Sequence, residues 1–532
     1  MKKYQESNRR YFAGALVSIL LGTVFAVVLQ FFKGDVLDYA VAGEVQKAVC
    51  YAALLAGFIL CECLLYFLYD LFSAGFIAGC IGELKRDIFE SIVKRSYVAY
   101  KEHPQGEYIA KYTNEADTIK ERYFQMLPMF FEILFKIIFV SIALFLLDWR
   151  IAVITIALLT TPLYVPKIIE KRLQNAQSAY IRAVEENLAK VNDWLSGFEI
   201  IKNYSIEQQI IGRFKTVNAI TTEKLLKDAQ LGAASQIITT LISYSSYFIV
   251  LVCATWLVLK GDFSAGDFFV AIGMIDQLSY PLISLARITR QLIAVRPSCA
   301  AMEEFLQIPE PTKESWNVTK LSRDIRFRNV SFSYDSQRSI LNRFDLTISK
   351  GKRYLLKGPS GCGKTTAINL LLKYYDVTDG SIEIDGTPLS RFGSTYGLMT
   401  VVRQEAVLFH DTLRNNLTMY QDIPDARLFE ALKSVGLDGY ANTKSLVGMV
   451  TENGSNFSGG EKKRICLARA LLRDTEVLIL DEPLANLDAA TAERIESLLL
   501  SIRDKTILIV SHQFTDEKLC LFDQVIDFAT AK

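Results

Sequence analysis

Long apolar stretches in the first part of the chain are the feature that most constrains its fold. The hydrocarbon core of a bilayer is about 30 Å thick, so a helix needs roughly 20 apolar residues to cross it. Six stretches are long enough, and they lie near residues 11–32, 49–80, 127–147, 150–173, 232–259 and 265–290. We therefore predict an α-helical membrane domain with six transmembrane helices.

Basic residues beside these stretches indicate the orientation of the chain. Lys2, Lys3, Arg9 and Arg10 precede the first stretch, and more basic residues follow the second. Because cytoplasmic loops carry an excess of Lys and Arg, we expect both termini to be cytoplasmic. The first stretch is too long for a signal peptide and lacks a small-residue cleavage site, so we expect it to be the first span.

Length and charge set further limits. The chain has 532 residues, more than one hydrophobic core usually organises, so at least two domains are expected. A linker is predicted at 311–323, because the overlapping segment 308–315 has the Pro and charge content of a linker. The predicted membrane domain is 1–310, and the predicted soluble α/β domain is 324–532. A net charge of +1 gives no basic face for nucleic acid, and the nine scattered cysteines are expected to be free thiols.

A glycine-rich segment near the start of the soluble domain has the pattern of a phosphate-binding loop. It follows a strand-like run at 354–357 and opens an apolar helix at 367–372, which is the context that such a loop requires. Lys364 would bring a full charge to the phosphates, Thr365 would offer a hydroxyl to Mg²⁺, and Thr366 would support the phosphates. The predicted phosphate-binding residues are Gly358, Pro359, Ser360, Gly361, Cys362, Gly363, Lys364, Thr365 and Thr366.

Two adjacent carboxylates end a later strand-like run at 477–482. Successive side chains of a strand diverge, so Asp481 could reach a Mg²⁺ ion while Glu482 faces the γ-phosphate and polarises a water molecule. An acidic strand end without catalytic function is the alternative interpretation.

The motif PheSerGlyGlyGlu at 457–461 precedes an apolar, basic helical pattern. Ser458, Gly459 and Gly460 could present amides and a hydroxyl at a helix start, which would form a second anion site. The motif closely resembles the signature of ATP-binding cassette (ABC) transporters, and the resemblance covers essentially the whole chain, including an exporter-type membrane region. Glu461 stands where the family usually has Gln, and Phe457 where it usually has Leu.

The resemblance implies roles for further residues of the ATPase domain. Tyr334 matches the aromatic residue that stacks on adenine, although a packing role is the alternative. Gln404 matches the glutamine that senses Mg²⁺ and the γ-phosphate, and it follows Arg403, where Pro is common. Asp488 matches a loop that contacts the opposite subunit, and His512 matches the histidine that contacts the γ-phosphate. The implied catalytic residues are Lys364, Gln404, Glu482 and His512, and the implied metal-binding residues are Thr365, Gln404 and Asp481.

The resemblance also implies an assembly. One phosphate loop and one signature occur in the chain, and in the family ATP lies between the loop of one subunit and the signature of another. We therefore expect a second half-transporter as partner, with a homodimer favoured and a heterodimer possible. Two long polar segments resemble the intracellular loops of exporters, and we place their tips, which would form coupling helices, near Thr113–Ile119 and Phe198–Ile206.

These features predict ATP-driven export of a hydrophobic or amphipathic solute, such as a peptide, lipid or drug, by alternating access. Expected partners are membrane lipid and the transported molecule, and the expected location is the plasma membrane with the ATPase domain in the cytoplasm. Import on the same fold and a regulatory, nucleotide-gated protein are the alternatives.

Acidic residues in or beside the spans are candidates for contact with the transported molecule, because a charge at the bilayer centre costs about 2.5–3.5 kcal/mol on insertion scales. They are Glu62, Asp70, Glu132 and Asp276. Local pairing is the alternative, above all for Glu132 with Lys136 one helical turn later.

Overall fold

The computed structural model describes residues 1–161, 165–307, 316–334, 339–359, 361–485, 487–512, 514 and 516–528. The chain forms two compact units. The first unit comprises Met1–Lys94 and His103–Ile308, and the second comprises Arg95–Glu102 and Pro309–Lys532.

Every regular element described in the first unit is a helix. Its helices are α1 (Lys2–Ser7), α2 (Arg9–Val41), α3 (Val45–Lys94), α5 (Gln105–Ala110), α6 (Ala116–Ile119), α7 (Met126–Leu147), α8 (Trp149–Leu159), α9 (Val165–Ser196), α10 (Phe198–Asn203), α11 (Glu207–Lys260), α12 (Ala265–Ala294) and α13 (Arg296–Leu306), while α4 (Tyr97–Lys101) belongs to the second unit. Single π-helical turns at Lys111–Glu115 and Lys120–Phe124 join α5, α6 and α7 into one continuous helical run.

Five helical runs of the described residues are long and apolar enough to cross a membrane. They are Arg9–Val41, Val45–Lys94, Gln105–Leu147, Glu207–Lys260 and Ala265–Leu306. A shorter apolar helix covers Trp149–Leu158. The fourth predicted span, 150–173, lies partly outside the described residues, which omit 162–164.

Close packing of α2 on α12 depends on two glycines. A Cβ atom on Gly266 would lie 2.5 Å from the carbonyl oxygen of Gly34, and a Cβ atom on Gly34 would lie 2.6 Å from a methyl carbon of Val270. Both distances are shorter than a van der Waals contact, so a larger residue at either position would force the helices apart. Beside this contact, Val270 joins a buried apolar cluster that includes Val140 and Val250.

The local pairing that we considered for Glu132 is present. Lys136 donates a hydrogen bond of 2.7 Å to its Oε1, and the hydroxyl of Tyr69 donates one of 3.2 Å to its Oε2. Glu132 is therefore compensated within its own unit. Of the other candidates, Glu62 is half-buried, and Asp70 and Asp276 are exposed.

The position predicted for the first loop tip is wrong. Thr113–Ile119 lies within the helical run that leads to α7, whereas the segment that joins the second unit is Arg95–Glu102. Ser96 caps α4 by accepting a hydrogen bond from the amide of Ala99, and Pro104 begins the next helix. Capping and the proline together separate this short helix from its long neighbours. The second predicted tip contains the short helix α10, as expected.

The described residues of the second unit form three sheets. Their strands are β1 (Trp316–Asn317), β2 (Asp324–Ser333), β3 (Ser339–Ser349), β4 (Arg353–Lys357), β5 (Asp379–Ile384), β6 (Thr387–Pro388), β7 (Phe392–Ser394), β8 (Met399–Val402), β9 (Val477–Asp481), β10 (Thr506–Val510) and β11 (Gln524–Asp527). The central sheet is parallel, in the order β11-β4-β10-β9-β8, an antiparallel sheet has the order β3-β2-β5-β6, and β1 pairs with β7. The predicted α/β class is therefore present in this unit.

Helices cover both faces of the central sheet. They are α14 (Lys364–Leu371), α15 (Leu413–Thr418), α16 (Asp425–Ser434), α17 (Thr443–Leu446), α18 (Gly459–Leu472) and α19 (Ala489–Ser501). One buried cluster joins the sheet to α14 and the antiparallel strands, and the other joins it to α15, α16, α18 and α19. Because β9 and β10 are buried at every position, they are continuous runs of apolar residues rather than alternating ones.

Candidate functional site

Four neighbouring strands of the parallel sheet end at one edge. The register pairs Leu356 of β4 with Val510 of β10, Val510 with Asp481 of β9, and Leu480 of β9 with Val402 of β8. The residues that follow these strands therefore meet at the carboxyl edge of the sheet, where ligands of open α/β sheets bind.

The segment after β4 has the conformation of a phosphate-binding loop. Gly358, Gly361 and Gly363 have φ values of 140°, 78° and 105°, in the left-handed region that other residues adopt only at a cost. Gly363 is also tightly packed, because a Cβ atom there would lie 2.9 Å from a methyl carbon of Leu341. The loop leads directly into α14, whose N-terminus favours an anion.

Lys364 lies inside this loop. Its side chain is 7% exposed, and its Nζ donates hydrogen bonds to the carbonyl oxygens of Gly358 at 2.6 Å and Pro359 at 2.9 Å. The neighbouring thiol of Cys362 is buried in the apolar core, with its sulfur 3.5 Å from the same ammonium. Cys362 can therefore offer only its backbone amide to a phosphate, and Ser360 lies outside the described residues.

The two carboxylates at the end of β9, Asp481 and Glu482, have distinct environments. Burial raises the pKa of Asp481, and the guanidinium of Arg403 is the strongest neighbouring charge opposing this rise. Glu482 has a φ of 52°, and its amide donates to the carbonyl oxygen of Val510 at 2.8 Å. A left-handed conformation is uncommon for a non-glycine residue. It turns the chain sharply where the strand ends, so that the two side chains leave in different directions.

Gln404 contacts the second carboxylate directly. Its Nε2 donates a hydrogen bond of 2.9 Å to Oε2 of Glu482, although 78 residues separate the two in sequence. This contact joins the segment after β8 to the one after β9. A group that binds both side chains would therefore be held between two neighbouring strands.

A cleft of about 410 Å³ collects most of the predicted site residues. It is lined by Tyr334, Ile340, Gly361, Gly363, Lys364, Thr365, Thr366, Gln404, Asp481, Glu482, Val510 and His512. The ring of Tyr334 is 51% exposed at the rim, and its hydroxyl lies 3.2 Å from Oγ1 of Thr366. An exposed ring anchored beside the loop can stack on a flat ligand, and its edge-to-face contact with Phe332 helps to orient it.

The signature residues do not line this cleft. Ser458 caps α18, and its hydroxyl donates a hydrogen bond of 2.8 Å to Oε2 of Glu461. The amide of Ser458 donates to the same oxygen at 2.9 Å, and the hydroxyl of Tyr440 donates to Oε1 at 3.0 Å. These bonds, above all the one from the amide of Ser458, hold the pKa of Glu461 below its usual range. Asp488 caps α19 by accepting from the amide of Thr491 at 3.0 Å.

The sequence analysis assigned no role to two cations that lie beside the site. Arg403 donates a hydrogen bond of 2.7 Å to Oδ1 of Asn369, and its guanidinium lies 5.5 Å from the ring centroid of Tyr374. These contacts fix the segment where proline is common in the family. Lys463 of α18 is 5% exposed and bonds to the carbonyl oxygen of Ala485. In the sequence, the only indication that Lys463 is buried is its position within the apolar pattern of the helix.

Comparison with known proteins identifies the class to which this fold and site belong. Residues 11–282 match the model of the ABC transporter transmembrane region, and residues 341–485 match that of the ABC transporter. The chain therefore belongs to the ABC transporter family. With one membrane region and one ATPase domain it is a half-transporter of the exporter type, and it is an ATPase coupled to transport.

Several relatives cover most of the chain. The chain is 25% identical over 540 residues to the putative multidrug export ATP-binding/permease protein YgaD of Bacillus subtilis (strain 168), covering 97% of this chain and 92% of the relative. It is 28% identical over 449 residues to the multidrug resistance-like ATP-binding protein MdlB of Buchnera aphidicola subsp. Schizaphis graminum, with 81% and 75% covered. An ATP-dependent lipid A-core flippase of Pseudoalteromonas translucida is 27% identical over 447 residues, with 82% and 77% covered.

A solved structure has the same fold. It is a bacterial Atm1-family ABC exporter with ATP bound, and it matches with a TM-score of 0.81 at 22% identity. The match covers 98% of this chain and 93% of the other. Both predicted parts, the helical membrane domain and the ABC ATPase domain, thus occur together in a known exporter fold.

Proposed function

We propose that this half-transporter works as a dimer that exports a hydrophobic or amphipathic solute by alternating access, driven by Mg²⁺-dependent hydrolysis of ATP. The observation that carries the proposal is the separation of two anion-binding elements. Within the described residues the later part of the phosphate loop (Gly361 and Gly363 to Thr366), Glu482 and His512 line one cleft, while Ser458 and Glu461 lie outside it. A nucleotide held in the cleft therefore needs the signature of another chain.

The residues of the cleft have separable roles in this proposal. The backbone amides of the loop from Gly358 to Thr366, except that of Pro359, which has no N–H, bind the phosphates, and Lys364 neutralises their charge. Glu482 accepts a proton from the attacking water, which His512 and Gln404 help to place opposite the γ-phosphate. Tyr334 stacks on adenine.

The oxygen donors beside the phosphates suit a magnesium ion. Thr365, Gln404 and Asp481 line the same cleft, and hydroxyl, amide and carboxylate oxygens are the ligands that Mg²⁺ prefers. Burial raises the pKa of Asp481. A nearby cation would therefore stabilise the ionised form of this carboxylate. When bound, the ion would neutralise charge on the β- and γ-phosphates.

The signature of a second copy completes each site. Ser458, Gly459, Gly460 and Glu461 of one chain face the nucleotide held by the other, and Asp488 lies at the same seam. Because the key positions Lys364, Glu482, Ser458 and His512 have family-consistent identities, two copies of this chain could hydrolyse ATP at both seams. A homodimer is therefore favoured over a heterodimer.

The membrane part follows from the same cycle. The proposed membrane domain is 1–310, the linker is 311–323 and the ATPase domain is 324–532. The protein is placed in the plasma membrane, with the ATPase domain and both termini on the cytoplasmic side. Closure of two ATPase domains on nucleotide shifts the population toward an outward-facing membrane domain. Relatives named for multidrug export and for lipid A-core flipping support a lipid-like or drug-like solute.

Replacing Glu482 by glutamine tests the catalytic part of this proposal. We expect Glu482→Gln to bind ATP as well as the wild type does, whereas steady-state hydrolysis falls at least about 100-fold, because general-base catalysis typically contributes that much. Glu493→Gln, the same change on the exposed side of α19, is the matched control and should be neutral. Near wild-type hydrolysis by Glu482→Gln would exclude this residue as the base.

Assembly and direction need separate measurements. In detergent or nanodiscs, ATP should convert Glu482→Gln protein into a closed dimer that is detectable by cross-linking. Strictly monomeric protein that hydrolyses ATP at full rate would contradict the proposal. In inside-out vesicles an exporter accumulates its solute, whereas an importer depletes it.

A further inference from the structure

Lys463 is a buried cation that the proposed catalytic cycle does not use. It lies on α18, five residues after Ser458, and its side chain is 5% exposed. A buried ammonium loses its hydration and is retained only where polar or charged groups compensate it. Burial lowers the pKa of Lys463, and the carboxylates of Glu482 and Asp481 oppose that change. The ammonium is therefore close enough to both carboxylates to sense their charge.

Its hydrogen bond points to the loop that carries the proposed base. Nζ of Lys463 donates to the carbonyl oxygen of Ala485 at 3.2 Å, and the amide of Ala485 donates to the carbonyl oxygen of Glu482 at 3.3 Å. The side chain of Glu482 in turn accepts from Gln404 at 2.9 Å. A continuous series of hydrogen bonds thus joins α18 to Glu482 through one residue of the loop.

The two ends of this series belong to different nucleotide sites. The first residues of α18 face the nucleotide of the other subunit in the proposed dimer, whereas Glu482 lines the cleft of its own chain. A helix is stiff over its first two turns, so a shift of its N-terminus carries Lys463 with it. Any such shift reaches the carbonyl of Ala485 and hence the backbone of Glu482.

We propose that Lys463 is a positioning residue that couples the two ATP sites, because it ties the signature helix to the loop that places Glu482. Engagement of nucleotide at the start of α18 then improves the placement of the base in the chain's own cleft. The inference rests on the proposed dimeric function, and it assigns the coupling to one side chain rather than to the general contact between subunits.

Replacing Lys463 by methionine removes the hydrogen bond and the charge while keeping a similar volume. The exchange leaves the carbonyl oxygen of Ala485 without this donor and is expected to lower stability, so ATP-driven dimer formation is measured beside the rate. In the full-length dimer we expect Lys463→Met to lower kcat for ATP at least about tenfold, to change KM less than about twofold, and to reduce the Hill coefficient for ATP toward 1. Lys463→Arg, which keeps a charged donor, should recover part of the loss.

Lys462 provides the matched control. It is adjacent on the same helix, is only half-buried, and does not contact the loop after β9 through any described hydrogen bond. Lys462→Met should leave kcat, KM and the Hill coefficient as in the wild type. Equal values for the two methionine variants would overturn the inference.

ATP-driven closure separates a positioning role from a folding defect. In the Glu482→Gln background, Lys463→Met should still form the ATP-dependent cross-linked dimer at the same ATP concentration. If Lys463→Met lowered kcat and also abolished this dimer, Lys463 would have only a structural role, and the inference would be overturned. Absence of the dimer in Glu482→Gln itself would instead count against the proposed function.

Discussion

Glu461 places a negative charge at the anion-binding start of α18, and its replacement by glutamine should have opposite effects on stability and on nucleotide affinity. The carboxylate accepts hydrogen bonds from the amide and the hydroxyl of Ser458 and from the hydroxyl of Tyr440, at 2.9, 2.8 and 3.0 Å. Glutamine can keep one oxygen toward Ser458, because Glu and Gln both complete a capping box. The fold is therefore retained, and the charge is lost.

The stability term follows from these bonds. Hydrogen bonds to charged groups contribute about 1 kcal/mol more than neutral ones, and a charge in the first helical turn adds about 0.3–1 kcal/mol. For a partly exposed carboxylate we expect Glu461→Gln to cost about 1–2 kcal/mol in total, which corresponds to a decrease of about 2 to 8 °C in the Tm of a domain of this size.

The sign of the pH dependence follows from the lowered pKa of Glu461. A carboxyl whose pKa is lower in the folded state stabilises the fold fully above the ordinary pKa of Glu, and it loses this contribution as the pH falls below that value and through the lower pKa of the folded state. The Tm difference between wild type and Glu461→Gln should therefore shrink below about pH 4.

The effect of Glu461→Gln on nucleotide affinity is favourable, whereas its effect on stability is unfavourable. Two unit charges about 7 Å apart in water repel each other by about 0.6 kcal/mol, or about threefold in an equilibrium constant. Removing the carboxylate charge should therefore lower the ATP concentration for half-maximal closure about threefold. Thermal unfolding of the full-length protein and ATP-dependent cross-linking in the Glu482→Gln background measure the two effects. A higher ATP requirement would refute this reasoning, because it would mean that the carboxylate assists the nucleotide.

Two further predictions concern the cleft. Tyr334→Ala should raise KM for ATP several-fold and leave kcat within about twofold, since stacking acts on binding alone; a KM equal to that of Tyr334→Phe would contradict the stacking role. Alkylation of the buried thiol of Cys362 should be slow, should inhibit the ATPase and should be prevented by ATP, because a bulky group beneath the loop would displace Lys364. Cys362→Ala protein that is inhibited equally would show that another thiol is responsible.

The elements of the site that the sequence predicted are those fixed by short stretches of chain. Glycines at positive φ, a buried strand ending in two acids, and a Ser before two glycines are local patterns, so Lys364, Glu482 and Ser458 could be placed on their elements without the fold. That the loop, Gln404, Glu482 and His512 share one cleft follows from the parallel order of β4, β10, β9 and β8.

What the sequence did not reveal depends on contacts between distant segments. Lys463 looks like any other lysine of a basic helix until α18 packs on the loop after β9. Arg403 looks like a departure from the family until Asn369 and Tyr374 are placed beside it. The first loop tip was misplaced because helical periodicity continues through 113–119, whereas the break that separates α4 rests on one serine cap and one proline.

The segment Arg95–Glu102 also bears on how the ATPase domain can be studied. The ring of Tyr97 stacks on that of Tyr374 with centroids 3.9 Å apart and planes 12° apart, and a pair of this kind contributes about 0.5–1.5 kcal/mol beyond its buried area. A fragment cut at residue 324 would lack Tyr97 and would leave an aromatic face uncovered. Such a fragment would be less stable and more prone to self-association than the same residues in the intact chain, and adding a peptide of residues 95–102 should partly reverse both defects.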